Sequence, residues 1–443
     1  MNLRTRRSLL TAGLAWPAYA APPRRVVLIS LDGLRPDLYL NPVKHGLKLP
    51  NLARLMASGS FATGVEGVYP SVTYPSHTTL ITGTVPARHG IFGNEQFRPE
   101  DPRPPWYFEH RQIKATTLWQ AARAAGLTTA GVAWPVSVGA PVDWLIPEYF
   151  DTKRQQKNVF RAVSTPGLYE TIERKFGAGG LDDFEDWADK DVRITDCAVH
   201  IIREHKPHFT AIHLINGDHQ QHETGLETAE VRAAFNALDQ HVGRIVTALD
   251  GAGIRKETAV VVTGDHGFLP VTKTVNPNVP LHNAGLQELE GDKVTSWQAY
   301  AWAQGGCAAV HLKDPAHLAK AKRALEVAIA NEPTPPLKLI SRQQLDQLGA
   351  FPGAAFGVEA LNGARVGKAS SGDFVGPSRT KGMHGYLPTN PAMRTGLIVS
   401  GLGIRRGVVL GLMPMVDIAP TIGKLLGVRL PMATGKPIVR MLS

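Results

Sequence analysis

The sequence predicts an α/β fold, with a central, mostly parallel sheet, helices on both faces and a smaller α/β insertion. Three observations lead there. Four short runs, Val26–Leu31, Thr210–Ile215, Ala259–Thr263 and Gly396–Val399, are nearly continuous in apolar character and rich in β-branched residues. That is the pattern of strands buried on both faces. Segments of helical periodicity alternate with them, as a parallel sheet requires. An acidic residue stands at or just beyond three of the run ends: Asp32, Asp218 and Asp265. Open parallel sheets form their sites at the carboxyl ends of strands.

Taken in order, the first twenty residues stand apart from this pattern. Arg4, Arg6 and Arg7 precede an apolar run from Leu9 to Ala15, and Ala18-Tyr19-Ala20 supplies a small-residue cleavage pattern. Cutting is expected after Ala20, leaving residues 21–443 as one catalytic domain. The run is too short to span a membrane, so it predicts a secretory signal and a periplasmic or secreted protein. Thr5-Arg6-Arg7-Ser8-Leu9-Leu10 resembles a twin-arginine signal; an ordinary signal peptide containing Arg-Arg is the alternative. No later segment has the length and apolarity of a membrane span.

Helices are expected at Leu118–Ala125, around Glu227–Leu249 with Gly251 and Gly253 near its end, and at Leu318–Ala330. The stretch Phe268–Lys381 breaks the alternation. It holds a strand pattern at Cys307–Leu312, the Leu318–Ala330 helix and the proline-rich Glu332–Pro336, and so is expected to form an inserted subdomain at about 268–381. Asn94–Lys114, rich in proline and aromatic residues, is expected to wall the site, and the polar Asp151–Asp189 to cap it. The 44 glycines and 33 prolines are scattered, as loops rather than low complexity.

Net charge is +10, of which Arg4, Arg6 and Arg7 supply three, leaving +7. The excess forms no Lys/Arg block; a basic enzyme acting on anionic small molecules explains it as well as nucleic-acid binding does, and no specific nucleic-acid binding is expected. Cys197 and Cys307 are far apart in sequence; a disulfide and two buried thiols are both compatible with an oxidising compartment.

The chemistry is carried by aspartate and histidine. Asp218 and His222 lie four apart, Asp265 and His266 are adjacent, and His384 sits in Lys-Gly-Met-His-Gly-Tyr. Singly, each has a plain explanation as a turn, a helix cap or a loop histidine. Together they are the oxygen and nitrogen ligands that zinc accepts. Thr73 offers a nucleophile near a helix start, where backbone N–H groups favour an anion. A threonine hydroxyl needs activation, which a metal ion supplies. On composition alone Ser71, Ser76 and Thr78 are equal candidates.

These residues also carry a resemblance. Leu28–Asp37 resembles the first metal motif of the nucleotide pyrophosphatase/phosphodiesterases of the alkaline phosphatase superfamily. Tyr69–Gly83 resembles their nucleophile segment, and His89–Asn94 the segment ending in a phosphate-contacting asparagine. Asp218 with His222, Asp265-His266-Gly267 and His384-Gly385-Tyr386 follow in the family's order, over roughly Val26 to Pro431. The resemblance implies an alkaline-phosphatase-like three-layer sandwich and two zinc ions per chain, manganese being the alternative. One ion would be held by Asp32, Thr73, Asp265 and His266, the other by Asp218, His222 and His384. It further implies a covalent phospho-threonine on Thr73, with Tyr74, Asn94 and Trp134 against a small phosphodiester or nucleotide substrate.

Within that superfamily, monoesterases resembling this chain carry a Lys-x-Arg motif where Val132–Val138 has no cation. Val132–Val138 instead resembles the Trp-Pro-Gly-Ser segment of nucleotide phosphodiesterases, with Val136 in place of the glycine. Phosphodiester or phosphoanhydride hydrolysis is therefore expected; a phosphonate hydrolase, a phosphomonoesterase and a non-catalytic exported binding protein are the alternatives. Leu214–Asp218 departs from the family's acidic pattern, and His213 stands where an aromatic is common. These changes leave the leaving group open. No Cys-x-Pro-x-Arg sulfatase motif occurs.

Overall fold

A computed structural model describes residues 24–443 except 154, 179, 180 and 182–185. The expected signal segment lies outside the described residues. Eight strands form the central sheet: β1 (Arg25–Leu31), β2 (Gly59–Glu66), β3 (Thr129–Val132), β4 (Trp144–Ile146), β5 (Phe209–Leu214), β6 (Thr258–Thr263), β7 (Leu397–Gly401) and β8 (Val408–Pro414). Their order is β8-β2-β7-β6-β1-β5-β3-β4. Only β7 runs against the others. The run expected at Gly396–Val399 is thus the one reversed strand, and it begins and ends slightly later.

Helices cover both faces: α1 (Pro50–Ser58), α2 (Thr73–Thr82), α3 (Leu118–Ala124), α4 (Trp187–His205), α5 (Asn216–Thr224), α6 (Ala229–Gly251) and α7 (Ile418–Leu426). The two-residue period of β1 divides the core between them. Val27, Ile29 and Leu31 join apolar residues of α1, α4 and α6. Val26 and Leu28 join those of α2, α3 and α7 on the other face. Every residue of β5 and β6 is buried, which explains why those runs read as apolar throughout. The helix expected around Glu227–Leu249 starts at Ala229 because the Thr228 hydroxyl accepts from the Val231 N–H and caps it.

Between β6 and β7 the chain builds a four-stranded antiparallel sheet from Ala299–Gln304, Cys307–Leu312, Leu337–Ile340 and Phe356–Ala360. The Leu318–Ala330 helix packs on it through Ala321 and Leu325. A second small sheet joins Ala364–Val366, Lys273–Val275 and Val375–Pro377. Leu269–Pro270 pairs with Gly382–Met383, so the chain re-enters beside the point where it left. Cys197 and Cys307 are both buried free thiols. Among the described residues no helix is long and apolar enough to cross a membrane.

Candidate active site

Each candidate ligand is placed by the end of a strand. Asp32 follows β1, its N–H bonded to Leu214 O at 2.9 Å. Gly33 then turns at φ 71°, and its N–H donates to Asp265 Oδ1 at 3.1 Å. A Cβ at Gly33 would stand 2.6 Å from Gln221 Nε2, so both conformation and space require glycine. Asp265 and His266 follow β6 across Gly264. Asp218 and His222 lie one turn apart on α5, hence on one face. The start of α5 is fixed by buried Asp191, whose carboxylate accepts from Ile215 N at 2.8 Å and Asn216 N at 3.0 Å. His384 follows the Gly382–Met383 pairing. Thr73 is the first residue of α2, with His77 one turn on holding its carbonyl at 2.8 Å.

These residues converge. Asp218 Oδ1 lies 3.3 Å from His222 Nε2, 3.5 Å from His384 Nε2 and 3.9 Å from His266 Nε2. His266 Nε2 lies 3.3 Å from Asp32 Oδ1 and 3.2 Å from Asp265 Oδ2. Asp218 therefore stands between two trios, Asp218/His222/His384 and Asp32/Asp218/His266. The far nitrogens are tied to carbonyls: His222 Nδ1 to Gly382 O at 2.7 Å, His384 Nδ1 to Ser71 O at 3.1 Å, and His266 Nδ1 to Gly267 O at 3.3 Å. Donation from Nδ1 leaves each Nε2 with its lone pair facing the centre, the tautomer a metal requires.

The inner atoms are short of protein partners. Asp32 Oδ1, Asp218 Oδ1, Asp265 Oδ2 and His266 Nε2 are buried without a hydrogen bond among the described residues. Burial, then the charges of Asp265 and Asp218, push the Asp32 carboxyl well above its usual range. Burial likewise lifts Asp265 to about 6. Burial would also raise Asp218, but His222, His384 and His266 outweigh it and hold that carboxyl low. Three crowded carboxylates and three imidazoles with inward acceptors are a donor set that divalent cations fit.

The site opens into a cavity of about 660 Å³ lined by Asp32, Thr73, Asn94, Asp218, His222 and His384 among others. Asn94 Oδ1 accepts from Tyr74 N at 2.9 Å, which orients the amide and leaves its NH₂ to donate elsewhere. Tyr74 and Trp134 are not brought to the cavity. Both are fully buried: Tyr74 packs edge-on to Trp106 and donates to Glu148 Oε1 at 3.0 Å, and Trp134 packs against His77 and Trp119. The rings on the cavity wall are Trp106, Tyr149, Phe150 and Trp187. Of the irregular stretch Asn94–Lys114, residues Asn94, Glu95 and Trp106 face it, and part of the expected 151–189 cap does as well.

Residues 26–387 match the family model of type I phosphodiesterases/nucleotide pyrophosphatases. The chain belongs to this family. Among its relatives, human ectonucleotide pyrophosphatase/phosphodiesterase family member 1 is 25% identical over 263 residues, covering 56% of this chain and 24% of that one. Bovine bis(5'-adenosyl)-triphosphatase is 24% identical over 275 residues, covering 60% and 52%. The chain thus spans about a quarter to a half of the length of these curated relatives. The structure of murine ectonucleotide pyrophosphatase/phosphodiesterase 5, an inactive threonine-to-alanine variant in complex with AMP, superposes with a TM-score of 0.68 at 18% identity, covering 95% of this chain and 100% of that one. The fold is alkaline-phosphatase-like.

Two further residues of this family member lie against the site. His213, the one histidine in β5, sends Nε2 to Asp32 Oδ2 at 3.0 Å, and its Nδ1 lies 3.4 Å from Glu148 Oε2. The sequence marks His213 as a polar residue inside an apolar strand, standing where the resembled family commonly has an aromatic, but not as a partner of Asp32. Glu148, on the loop after β4, has no sequence signal of its own.

Proposed function

We propose that this chain is a two-metal phosphodiesterase/nucleotide pyrophosphatase, cleaving phosphodiester or phosphoanhydride bonds through a phospho-threonine on Thr73. The observation that carries this reading is the meeting of Asp32, Asp218, Asp265, His222, His266 and His384, with Asp32 Oδ1, Asp218 Oδ1, Asp265 Oδ2 and His266 Nε2 unpartnered among the described residues, in the cavity that Thr73 lines. Asp32, Thr73, Asp265 and His266 would hold one zinc, and Asp218, His222 and His384 the other, manganese being the alternative. Asp218 Oδ1 is within reach of both groups. Such ions, when bound, make the threonine hydroxyl acidic and neutralise phosphoryl charge.

The chain's own residues do the rest. Thr73 stands in the first turn of α2 and lines the cavity, where its Oγ would meet an anion drawn to the helix N-terminus. The Thr73 hydroxyl gives its proton to solvent as the Oγ–P bond forms and the bond from phosphorus to the leaving oxygen breaks, and that oxygen departs with the electron pair and takes up a proton from water. The Asn94 NH₂ donates to a non-bridging oxygen as charge builds there. Water then attacks phosphorus, the P–Oγ bond breaks and the threonine is restored. Two relatives support a nucleotide substrate: the bovine protein is named for a bis-adenosyl triphosphate, and the murine threonine-to-alanine variant holds AMP. Export to the periplasm or medium is supported by the arginine-led apolar N-terminus. The insertion at about 268–381 is read as a subdomain with its own apolar core.

Hydrolysis of bis-p-nitrophenyl phosphate and p-nitrophenyl phosphate, with and without chelator, tests the proposal. The diester is expected to give the larger kcat/KM, with turnover lost on chelation and recovered with zinc. Absence of metal-dependent turnover of either ester would overturn the reading, and a larger kcat/KM for the monoester would reverse the substrate class.

A further inference from the structure

Arg365 belongs to the short strand Ala364–Val366, in which the flanking residues enter the core of the insertion. The two-residue period turns Arg365 the other way, onto the wall of the catalytic cavity. The strand is held by its pairing with Lys273–Val275 and by Val366 N–H on Gly305 O at 2.7 Å, so the side chain starts from a fixed backbone. Among the described residues its guanidinium makes one hydrogen bond, Nη1 to Thr380 Oγ1 at 3.3 Å, and Nε is buried without a partner. No aspartate or glutamate forms an ion pair with it among the described residues.

A guanidinium stays charged at any physiological pH and offers five donors in a planar fork. Holding one in a partly buried place without an anion is unfavourable. The wall contains one other Lys or Arg, Lys190, whose ammonium lies 4.1 Å from the Trp187 ring centre. Arg365 instead shares its part of the cavity with Met383, Thr380 and the proposed metal ligand His384, without being a ligand itself. A planar fork of donors with unmet capacity fits the paired oxygens of a phosphoryl group.

We propose that Arg365 holds a second phosphoryl group of the substrate, beyond the one attacked, and so favours phosphoanhydrides over simple diesters. This rests on the cavity being a phosphodiesterase site. The cation absent from Val132–Val138 is then provided from the insertion, where it meets a neighbouring phosphoryl group.

The test compares kcat/KM for ATP, bis-p-nitrophenyl phosphate and p-nitrophenyl phosphate in the zinc-loaded wild type, Arg365→Gln and Arg365→Lys. Arg365→Gln is expected to lower kcat/KM for ATP at least tenfold more than for bis-p-nitrophenyl phosphate, chiefly through KM. Arg365→Lys, which keeps the charge without the fork and guards against a misfolded glutamine variant, is expected to fall between. Competition supplies a second measurement: inhibition of diester hydrolysis by α,β-methylene-ADP should weaken more than inhibition by AMP in either variant. Equal losses on ATP and the diester, or a greater loss on p-nitrophenyl phosphate than on ATP, would overturn the assignment while leaving the phosphodiesterase reading intact. A wild type that turns over none of the three esters would overturn that reading itself.

Discussion

The imidazoles of His266 and His384 lie face to face, ring centroids 3.6 Å apart and planes 11° apart, with both Nε2 atoms near Asp218 Oδ1. Two neutral rings can stack this way, whereas two imidazolium ions would repel. Burial, then the neighbouring His384, holds His266 far below the usual histidine range, and burial brings His384 to about 4. Neutral rings facing three carboxylates are ready to bind cations, and what binds only the folded state stabilises it. Chelator treatment is therefore expected to lower the thermal midpoint and zinc to restore it. The gain is about 2.7 kcal/mol at a free zinc concentration 100-fold above Kd. A melting curve indifferent to chelator and to added zinc would count against a structural role for the metal.

The roles proposed for Thr73 and for the histidines separate chemistry from binding. Thr73→Ala removes the hydroxyl proposed to attack phosphorus but leaves Asp32, Asp218, Asp265, His222, His266 and His384. Turnover of bis-p-nitrophenyl phosphate is expected to fall by about 10³-fold or more, while zinc content measured by elemental analysis stays near that of the wild type. Full retention of rate would remove Thr73 from the nucleophile role.

Asn94 is aimed by a single backbone contact, the Tyr74 N–H on its Oδ1 at 2.9 Å. Its NH₂ is proposed to meet charge that develops on phosphoryl oxygen, and loss of one such donor costs about 10²–10³ in kcat. Asn94→Ala is expected to show that loss at saturating substrate. A variant with unchanged kcat and a raised KM would instead make Asn94 a ground-state binding group.

Much of the site was legible because strand ends and chemistry coincide. Buried on both faces, β1, β5 and β6 appear as nearly continuous apolar runs, and an acidic ligand candidate stands one, four and two residues beyond their ends, at Asp32, Asp218 and Asp265. Other elements were hidden. Strand β2 carries Gly59, Gly64 and Thr63 among its apolar residues, and β3 and β4 span only four and three residues. Helix α4 was obscured by buried polar residues such as Asp191 and Thr195, which serve neighbours rather than solvent. Tyr74 could be placed beside Thr73 in sequence, but its direction depends on α2. On that helix the ring turns inward to Trp106 and Glu148.

Acid sensitivity follows from histidines buried as neutral rings outside the site. Burial lowers His241 to about 4, where its Nδ1 lies 3.0 Å from Thr195 Oγ1. An unfolded histidine takes up its proton near 6.5. The folded form binds fewer protons between these values, so the contribution to stability is present above about 6.5 and is lost as pH falls towards 4. His241→Gln, which keeps a polar side chain without titration, is expected to flatten the fall of Tm between pH 6.5 and 4. An identical slope in variant and wild type would exclude His241 as a contributor.

His213 gives the sharpest test of how the site is supported. Its ring is buried, with Nε2 on Asp32 Oδ2 at 3.0 Å and Nδ1 near Glu148 Oε2. Burial opposes its charge, but hydrogen bonds to Asp32 and Glu148 prevail and hold the ring's pKa well above the usual histidine value. The ring thus fixes one oxygen of Asp32 and leaves Oδ1, the oxygen facing His266, for a metal. Phenylalanine there would keep the volume and withdraw the donor, leaving two buried carboxylate oxygens without it. Loss of an outer partner of this kind lowers metal affinity about 10–100-fold. His213→Phe is therefore expected to lose activity at limiting zinc and to regain much of it at excess zinc. Wild-type zinc affinity in a folded His213→Phe variant would show that Asp32 is positioned without it.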